Sequence, residues 1–599
     1  MLTLLAVMLL AQVPVAPPAT DGVITGQVVD AATGKPVSAA IVTVSGSAVP
    51  RSLGIRDGRA SNSIRILTGA DGRFVFRELA LGNVNLSATK NGYADGAPGR
   101  RRPGGVSQDI VLTAAQKTAD LVIRVWKNGA IAGTVIDEAG EPVIGVRVAA
   151  LVRSSSGAQA QFTPTSAVGA TDDRGIYRFS NLPAGDYLVL VAPPLISVRA
   201  AAYEDVAMGR VNSEMNAALL MARSTDMVLS GDAVVLISRG MAMPPSSRAG
   251  RLQIYPPTMY PAATTPAQAS IVSLGGGEER AGIDIQLTPV PTAHVSGMVL
   301  GAAGPAAEVR LQLIPARGNE VPGELLAAAS VTDSTGAFIF AAVPPGQYTL
   351  RATKPDMGPG GMQTYWVEMP ISIGGEDVDG VTALLLPPLR ITARLQFEGN
   401  TPPPPVVAPQ FTNLFSLDPA DFSQAPVIYR GTVENGNVTL TGTPPGRYRV
   451  RVSNSPPGWM FKSAMLNGVD VSETPFDVTR DVSGLVLTFT DRWSGMSGSV
   501  TGAGLEGATV LVFTTDTQLW RGSNGSQRRI RSARTKPNGE FAFASLPPGD
   551  YYVTAIRDED AADWRAPATL EALARAATQV TIVEGEHKTI TVQVREVRR

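Results

Sequence analysis

The sequence predicts an all-β protein, a tandem array of about five antiparallel, seven-stranded β-sandwich modules of Greek-key type. Three observations lead to this fold class. The chain has 599 residues, which is more than one hydrophobic core organises, since single cores stop growing at about 250–300 residues. Its 61 Gly and 46 Pro form turns and favour many short strands over long helices. Finally, a two-part phrase of strand and turn signals recurs five times along the chain.

The first part of the phrase predicts two strands joined by a turn. In residues 133–137 (GTVID) polar and β-branched residues alternate, as in a half-buried strand, and the same pattern occurs at residues 26–30 (GQVVD). Gly140-Glu141-Pro142 then supplies a turn that lets the chain reverse.

The second part predicts a turn followed by an aromatic strand. In residues 173–179 (DRGIYRF) we expect the Asp173 side chain to close an Asx turn and Gly175 to take a positive φ. Tyr177 and Phe179 then point to one face of the strand and into the core of the sandwich. Three other copies have the same pairing, at Phe74 and Phe76, Phe338 and Phe340, and Phe541 and Phe543.

A proline turn and a tyrosine close the phrase. Pro-Pro-Gly fits a type II turn, because Pro fixes φ and Gly takes the positive φ that follows. The return strand begins at a tyrosine two residues after the Gly. These tyrosines are Tyr187, Tyr348, Tyr448 and Tyr551.

The complete pattern, G-x-V-x-D…G-x-P…T-D-x-x-G-x-F-x-F…L-P-P-G-x-Y, resembles the carboxypeptidase regulatory-like domain, a transthyretin-like (prealbumin-like) sandwich. The resemblance covers the first, second, third and fifth copies well and the fourth copy loosely. It implies a β-sandwich fold and an extracytoplasmic setting. It implies little about function, because the module accompanies peptidases, outer-membrane receptors and adhesive surface proteins alike. Residues 458–463 (GWMFKS), together with residues 467–470 and 490–492, also resemble a joint in large multi-module secreted bacterial proteins of this type.

The phrase divides the chain into candidate domains. We expect a signal peptide and a Pro- and Ala-rich stretch over residues 1–20, and sandwiches over residues 21–116, 117–291, 292–387, 388–491 and 492–599. The second sandwich has an insertion around residues 196–270, and the fourth is degenerate. The fifth carries a short helix near residues 567–577, where Leu570, Leu573, Ala574 and Ala577 share one face.

The N-terminal residues predict export. Leu2 to Ala11 form an apolar run of signal-peptide length, too short to span a bilayer. The chain has no Cys, which removes disulfides and thiolate chemistry and is compatible with an oxidising compartment. We therefore expect a secreted or periplasmic protein, and no membrane span in the mature chain.

No catalytic pattern is present in the sequence. The two histidines, His294 and His587, lie at strand openings and outside any zinc-binding spacing. Thr171-Asp172-Asp173 suits a turn better than a calcium loop, which wants three or more alternating oxygen ligands. The chain has neither a nucleophile elbow nor a phosphate-binding loop. We expect no enzyme activity, no metal and no cofactor.

Charge argues against nucleic acid as a partner. The formal net charge is −1, so there is no global basic field. The local Arg-rich patches are interpreted as solvated loops. They comprise Arg100, Arg101 and Arg102, and Arg528, Arg529, Arg531 and Arg534.

These observations favour a non-catalytic binding or scaffold protein at the bacterial cell surface or in the periplasm, with an unknown protein or polysaccharide partner. The alternative is carbohydrate binding through loop aromatics, because an exposed indole can stack on a sugar ring. The candidate residues for that role are Trp520, in the polar loop TDTQLWRGSNGS, and Trp459.

Overall fold

The computed structural model confirms the all-β class. It describes residues 22–47, 49, 54–56, 59–61, 63–105, 107–108, 110–113, 118–154, 161–192, 195–221, 225–238, 243–246, 251–316, 321, 328–358, 361–406, 411–420, 430–434, 436–502, 507–520, 528–536, 538–561 and 564–595. These residues form 48 strands and three α-helices. The chain divides into two compact units, Met1–Asn128 and Gly129–Arg599. The expected signal peptide over residues 1–20 lies outside the described residues.

The first unit contains the first module. Its strands are β1 Gly22–Asp30, β2 Ile41–Ser45, β3 Gly54–Arg56, β4 Arg59–Ser61, β5 Ser63–Leu67, β6 Arg73–Leu79, β7 Gly82–Thr89, β8 Tyr93–Ala94, β9 Ile110–Leu112 and β10 Thr118–Lys127. Two four-stranded sheets, β6-β1-β10-β8 and β5-β2-β7-β9, pack around one core.

The expected boundary at residue 116 is wrong. Strand β10 pairs in parallel with β1 from Val23↔Thr118 to Asp30↔Val125 and so belongs to the first module. The module therefore ends at Asn128, and it has eight strands in its two sheets rather than the expected seven.

The second unit begins with the second module. Its elements are β11 Gly129–Ile136, β12 Arg147–Ser154, β13 Gln161–Ala170, β14 Ile176–Leu182, β15 Gly185–Val191, β16 Leu195–Arg199, α1 Ala200–Ala207, α2 Ser213–Met221, β17 Thr225–Ser230, β18 Ala233–Ser238, β19 Gln253–Ile254, β20 Thr258–Met259, β21 Val272–Leu274, β22 Glu279–Arg280, β23 Ile285–Gln286 and β24 Val290–Pro291. A 3-10 helix spans Pro266–Gln268. The sandwich sheets are β14-β11-β22 and β13-β12-β15-β20, with β23 on β11 and β21 on β15.

The third and fourth modules follow in the same unit. The third comprises β25 Ala293–Gly301, β26 Gly304–Pro305, β27 Arg310–Pro315, β28 Ala328–Val331, β29 Ala337–Val343, β30 Gly346–Gly358, β31 Gly361–Ile373 and β32 Val378–Leu384. The fourth comprises β33 Leu389–Glu398, β34 Phe415–Pro419, β35 Arg430–Glu434, β36 Asn437–Thr443, β37 Gly446–Val452, β38 Met460–Leu466, β39 Val469–Asp470, β40 Phe476–Val478 and β41 Val482–Thr490. Each module has its own hydrophobic core.

The fifth module comprises β42 Gly495–Thr501, β43 Thr509–Thr514, β44 Ile530–Arg534, β45 Glu540–Phe543, β46 Gly549–Ile556, α3 Pro567–Ala574, β47 Thr578–Ile582 and β48 His587–Arg595. Two 3-10 helices span Thr517–Trp520 and Asp558–Ala561. Helix α3 is the short helix expected near residues 567–577, and it buries Leu570 and Leu573. Both leucines pack with Trp520 and Trp564 in a second core on the outer face of the sandwich.

The insertion in the second module extends the sheet of the third. Strand β16 pairs in parallel with β28, and the resulting seven-stranded sheet has the order β17-β18-β16-β28-β27-β30-β31. Helices α1 and α2 cover one face of this sheet, where Ala202, Met215 and Ala218 are buried. The sequence did not predict this strand pairing between modules, because the residues of a short apolar strand do not specify which strand it pairs with.

The expected aromatic cores are confirmed in four modules. Tyr177 and Phe179 are 2% and 4% exposed, with ring centroids 5.4 Å apart. The other three pairs have centroid distances of 5.8–6.0 Å and are equally buried. A strand places residues i and i+2 on one face, so two aromatics at this spacing fill the same layer of the core.

The turn before the aromatic strand docks on the first strand of its module. Gly175 has φ +71°, and its carbonyl accepts from the amide of Val135 at 2.8 Å. A Cβ at Gly175 would lie 2.7 Å from the Val135 carbonyl oxygen, so the position excludes other residues. The carboxylate that closes the turn is Asp172, which accepts from the amides of Arg174 and Ile176 at 2.9 and 2.8 Å. The expectation for Asp173 was therefore off by one residue.

A buried threonine fastens this turn to the module opening. Thr332 is 1% exposed, and its hydroxyl donates to the Ala306 carbonyl at 2.7 Å and accepts from the Val309 amide at 2.9 Å. Thr68 and Thr171 make the same two bonds in the first and second modules, whereas Thr535 in the fifth donates to the carbonyl of Ala508, which stands at the position of Val309. Sequence reasoning missed these threonines because the neighbouring Asp-Gly turn explained the motif without them.

The insertion buries one of its own ionisable side chains, a glutamate of helix α2. Glu214 of α2 is 3% exposed, and its carboxylate accepts from the Arg199 amide at 2.8 Å. Burial raises the pKa of Glu214 to about 7, the Arg199 amide and charge oppose that rise, and the nearby Asp333 carboxylate adds to it. Arg199 in turn forms an ion pair with Asp333 at 3.3 Å.

The burial of Glu214 predicts that the helical layer is more stable in acid than at neutral pH. The native carboxyl keeps its proton to a higher pH than the unfolded one, whose pKa lies near 4.5. The contribution of protonated Glu214 to the free energy of unfolding is therefore fully present below about pH 4.5. It falls by about 3 kcal/mol as the pH rises to about 7. We expect hydrogen exchange in residues 195–221 to be faster at pH 8 than at pH 5 after correction for intrinsic rates. Glu214→Gln should abolish the difference, whereas the exposed Glu204→Gln should retain it; an unchanged profile in Glu214→Gln contradicts this account.

Candidate functional site: the joint between the fourth and fifth modules

An ion-pair cluster joins the fourth module to the fifth. Lys462 lies in β38, which β41 separates from β33, and its Nζ contacts Glu398 Oε2 at 2.7 Å and Glu584 Oε2 at 2.9 Å. Glu398 belongs to the fourth module, while Glu584 lies in the turn between β47 and β48 of the fifth. Thr490, the last residue of β41, donates to Glu584 Oε1 at 3.1 Å. The cluster therefore crosses the module boundary.

The charges of this cluster stabilise one another. Hydrogen bonds to Glu398 and then Glu584 raise the pKa of Lys462 above its ordinary value. The hydrogen bond from Lys462 is likewise the main cause that lowers the pKa of Glu584. All three side chains are only 25–35% exposed, so their interactions are screened less than those of a free surface pair.

An arginine from the fifth module reaches onto the fourth. The Arg528 guanidinium carbon lies 4.4 Å from the centroid of the Phe461 ring. Its Nη2 donates to the Phe461 and Lys462 carbonyls at 2.7 and 3.2 Å, and its Nη1 pairs with Glu473 at 3.2 Å. The planar guanidinium is suited to this task because it satisfies several acceptors while its face lies on an aromatic ring.

The second Arg-rich patch is therefore not the solvated loop that the sequence suggested. Arg528 is 26% exposed and Arg529 is 23% exposed. Arg529 lies 3.6 Å from Glu473 and donates to the Pro548 carbonyl at 2.9 Å. The carboxylate partner, Glu473, is 55 positions away in sequence from Arg528, so no local signal showed the pairing.

Trp493 covers the connection between the two modules. It lies between β41 and β42, is 38% exposed, and donates from Nε1 to the Gly458 carbonyl at 3.1 Å. The residues around Gly458 are the segment whose sequence resembles a module joint, and the structure places them at one.

The two tryptophans expected to stack on a sugar are both buried. Trp459 is 2% exposed and packs edge-on against Phe397 at 4.9 Å. Trp520 is 3% exposed, donates from Nε1 to the Thr514 carbonyl at 2.8 Å, and packs edge-on against Phe513 at 5.6 Å. The expected exposure of these rings is wrong, because a 3-10 turn folds Trp520 back onto α3 although its flanking sequence is polar. Neither indole ring is exposed enough to stack on a sugar.

The charged side chains of the joint pair with one another, each cation with one or more carboxylates. Among the described residues, no group of three or more His, Asp or Glu is arranged to hold a metal ion. No helix within the described ranges is long and apolar enough to cross a bilayer.

A double-mutant cycle should detect coupling across the joint. Lys462→Met and Glu584→Gln, alone and together, are expected to show an interaction energy of about 1 kcal/mol, because the pair is partly shielded from solvent. The matched control is Lys536 with Glu540, a pair within the fifth module whose side chains are 69% and 54% exposed. We expect a clearly smaller interaction energy for that pair, because it is exposed to solvent and screened. The measurement is urea unfolding followed by tryptophan fluorescence, and equal coupling in the two cycles contradicts a special role for Lys462.

Known proteins resemble this chain only at low sequence identity. No curated protein matches the sequence. Among solved structures, similarity is found to a streptococcal ancillary pilin (9% identity, 61% of this chain and 99% of that chain, TM-score 0.18). A minor pilin of Streptococcus agalactiae (12% identity, 45% and 97%, TM-score 0.20) and the major pilin subunit of Bacillus cereus (11% identity, 61% and 99%, TM-score 0.15) are also similar. TM-scores this low carry no argument about function.

The family comparison identifies two of the modules. Residues 130–219 and 495–595 match the carboxypeptidase regulatory-like domain. These regions lie in the second and fifth modules, where the strand, turn and aromatic pattern is complete. The chain thus contains the carboxypeptidase regulatory-like domain in two regions.

Proposed function

We propose that this protein is a non-catalytic, extracytoplasmic scaffold that holds its second to fifth modules in a fixed arrangement and presents their loops to a protein or polysaccharide partner. The observation that carries the proposal is the joint between the fourth and fifth modules. Domain pairs move relative to one another by default unless their interface is large and apolar. Here Lys462 and Arg528 make directed contacts across the boundary that oppose such motion.

The second and third modules are connected differently, through a shared β-sheet that also opposes bending between them. Their shared seven-stranded sheet places a row of backbone hydrogen bonds between β16 and β28. The Ser197 hydroxyl also accepts from the Ala341 amide at 3.0 Å. Bending at this joint would expose apolar sheet surface and break these bonds, which favours a rigid connection.

The absence of catalysis is proposed from the sequence. The chain has no Cys and only two His, and its sequence contains no pattern that activates a serine nucleophile. An extracytoplasmic location is proposed from the apolar run at Leu2 to Ala11 and from the setting that the family resemblance implies.

Electron-spin distance measurements test the rigidity on which the scaffold proposal depends. The chain has no Cys, so spin labels attach only at introduced sites; Arg480→Cys and Ser532→Cys place one exposed label on each side of the joint. We expect one narrow distance distribution, which broadens when Arg528→Ala and Lys462→Met are added. Adding Lys536→Met instead is the matched control and should leave it narrow. A broad distribution in the parent protein would contradict a fixed joint.

A fusion experiment tests the proposed location. Residues 1–21 joined to leaderless alkaline phosphatase should give active enzyme in a Gram-negative host, because that enzyme needs disulfides that form only after export. Val7→Asp interrupts the apolar run and should reduce activity at least about tenfold, whereas Val7→Leu should preserve it. An inactive parent fusion that is stably expressed would argue against export by this segment.

A further inference from the structure

A polar cavity opens in the fifth module where one strand changes partners. Strand β46 pairs antiparallel with β47 from Gly549↔Ile582 to Val553↔Thr578, and then pairs in parallel with β48 at Ala555↔Val594 and Ile556↔Arg595. Thr554 lies between the two pairings. Because β47 and β48 diverge at this point, a wedge of about 340 Å³ remains between them.

The cavity is lined by hydrogen-bonding side chains that the protein does not use. Within the described residues, none of them takes part in a side-chain hydrogen bond or ion pair. Among the residues that the structure describes, the lining includes one cation and no carboxylate, and it differs in this from the apolar cores on either side. The polar lining residues are Thr501, Thr554, Thr578, Thr591, Gln593 and Arg595.

The chemistry of these groups defines what would fit. A threonine hydroxyl both donates and accepts, and so does the glutamine amide, whereas the guanidinium only donates. Such a set matches a ligand with several hydroxyl groups and one carboxylate. Inorganic phosphate would satisfy Arg595, but at neutral pH it offers only about one or two O–H donors to acceptors such as the Gln593 carbonyl, fewer than the ring hydroxyls of a sugar. The volume lies within the range of about 300–1,000 Å³ that small-molecule sites occupy.

We propose that this cavity binds a hexuronic acid unit, free or within an acidic polysaccharide. Arg595 pairs with the sugar carboxylate, and the threonine hydroxyls and Gln593 bond to the ring hydroxyls. Thr554 is 2% exposed and lies at the inner end of the wedge, while Thr591 and Arg595 are exposed. The site contains no aromatic ring and is separate from Trp520 and Trp459. It is also independent of the scaffold proposal, since it needs only the fifth module's sheet.

The test is ligand-observed NMR titration of the full chain with glucuronic acid. We expect saturable binding, with glucose at least about tenfold weaker because it lacks the carboxylate that pairs with Arg595. An excess of inorganic phosphate should not displace the sugar. A glucuronate-containing oligosaccharide then distinguishes a polymer from a free sugar, since extra affinity for the oligomer indicates the polymer.

Four variants assign the binding to the cavity. Arg595→Gln and Thr591→Val should each weaken glucuronic acid binding, the first about tenfold. Arg575→Gln and Thr589→Val are matched controls, because both residues are exposed in the same module but do not line the cavity. Unchanged thermal midpoints show that the variants are folded. The proposal is overturned if glucuronic acid does not bind, or if phosphate displaces it as effectively as unlabelled glucuronic acid would. It is also overturned if the control variants lose as much affinity for glucuronic acid as Arg595→Gln and Thr591→Val.

Discussion

The turn ahead of each aromatic strand is the contact on which the modules depend. Its glycine carbonyl accepts from an amide near the end of the first strand, as Gly175 does from Val135. The buried threonine at the start of the turn bonds to the opening segment on the other side. Together they set where the aromatic strand begins. The register of that strand then decides that Tyr177 and Phe179 face the core, because a shift by one residue would turn both outward.

A buried tyrosine hydroxyl performs a similar task at the opposite end of the aromatic strand. Tyr187 donates to the Pro183 carbonyl at 2.6 Å, and Tyr348, Tyr448 and Tyr551 bond to the proline carbonyl four residues earlier in their modules. Burial raises the pKa of Tyr187 to about 12, so the hydroxyl keeps its proton. The first module has Val84 in this place, 2% exposed. The apolar contact is thus common to all five modules and the hydrogen bond to four.

At the joint between the fourth and fifth modules the described contacts are directed polar ones, whereas the second and third modules are joined through a shared sheet and apolar packing. Lys462 and Arg528 lie at surfaces that a single sandwich would leave in water. There each cation finds carboxylates or carbonyls from the neighbouring module. A polar joint of this kind suits modules that fold separately, because the surface of each module remains hydrated until the interface forms. The cavity beside Thr554 arises where β46 changes its edge partner from β47 to β48.

The sequence by itself determined the all-β class, the repeat, the aromatic cores, the turns and the helix near residue 567, because these depend on residues a few positions apart. Tertiary structure alone decided that β10 closes the first module, that the insertion joins the third module's sheet, and that Trp520 and Trp459 are buried. It also decided which carboxylates meet Lys462, whose partner Glu584 is 122 positions away. The physical reason is that strand pairing, burial and ion pairing join distant segments, and alternation along a strand specifies its buried face but not its neighbour.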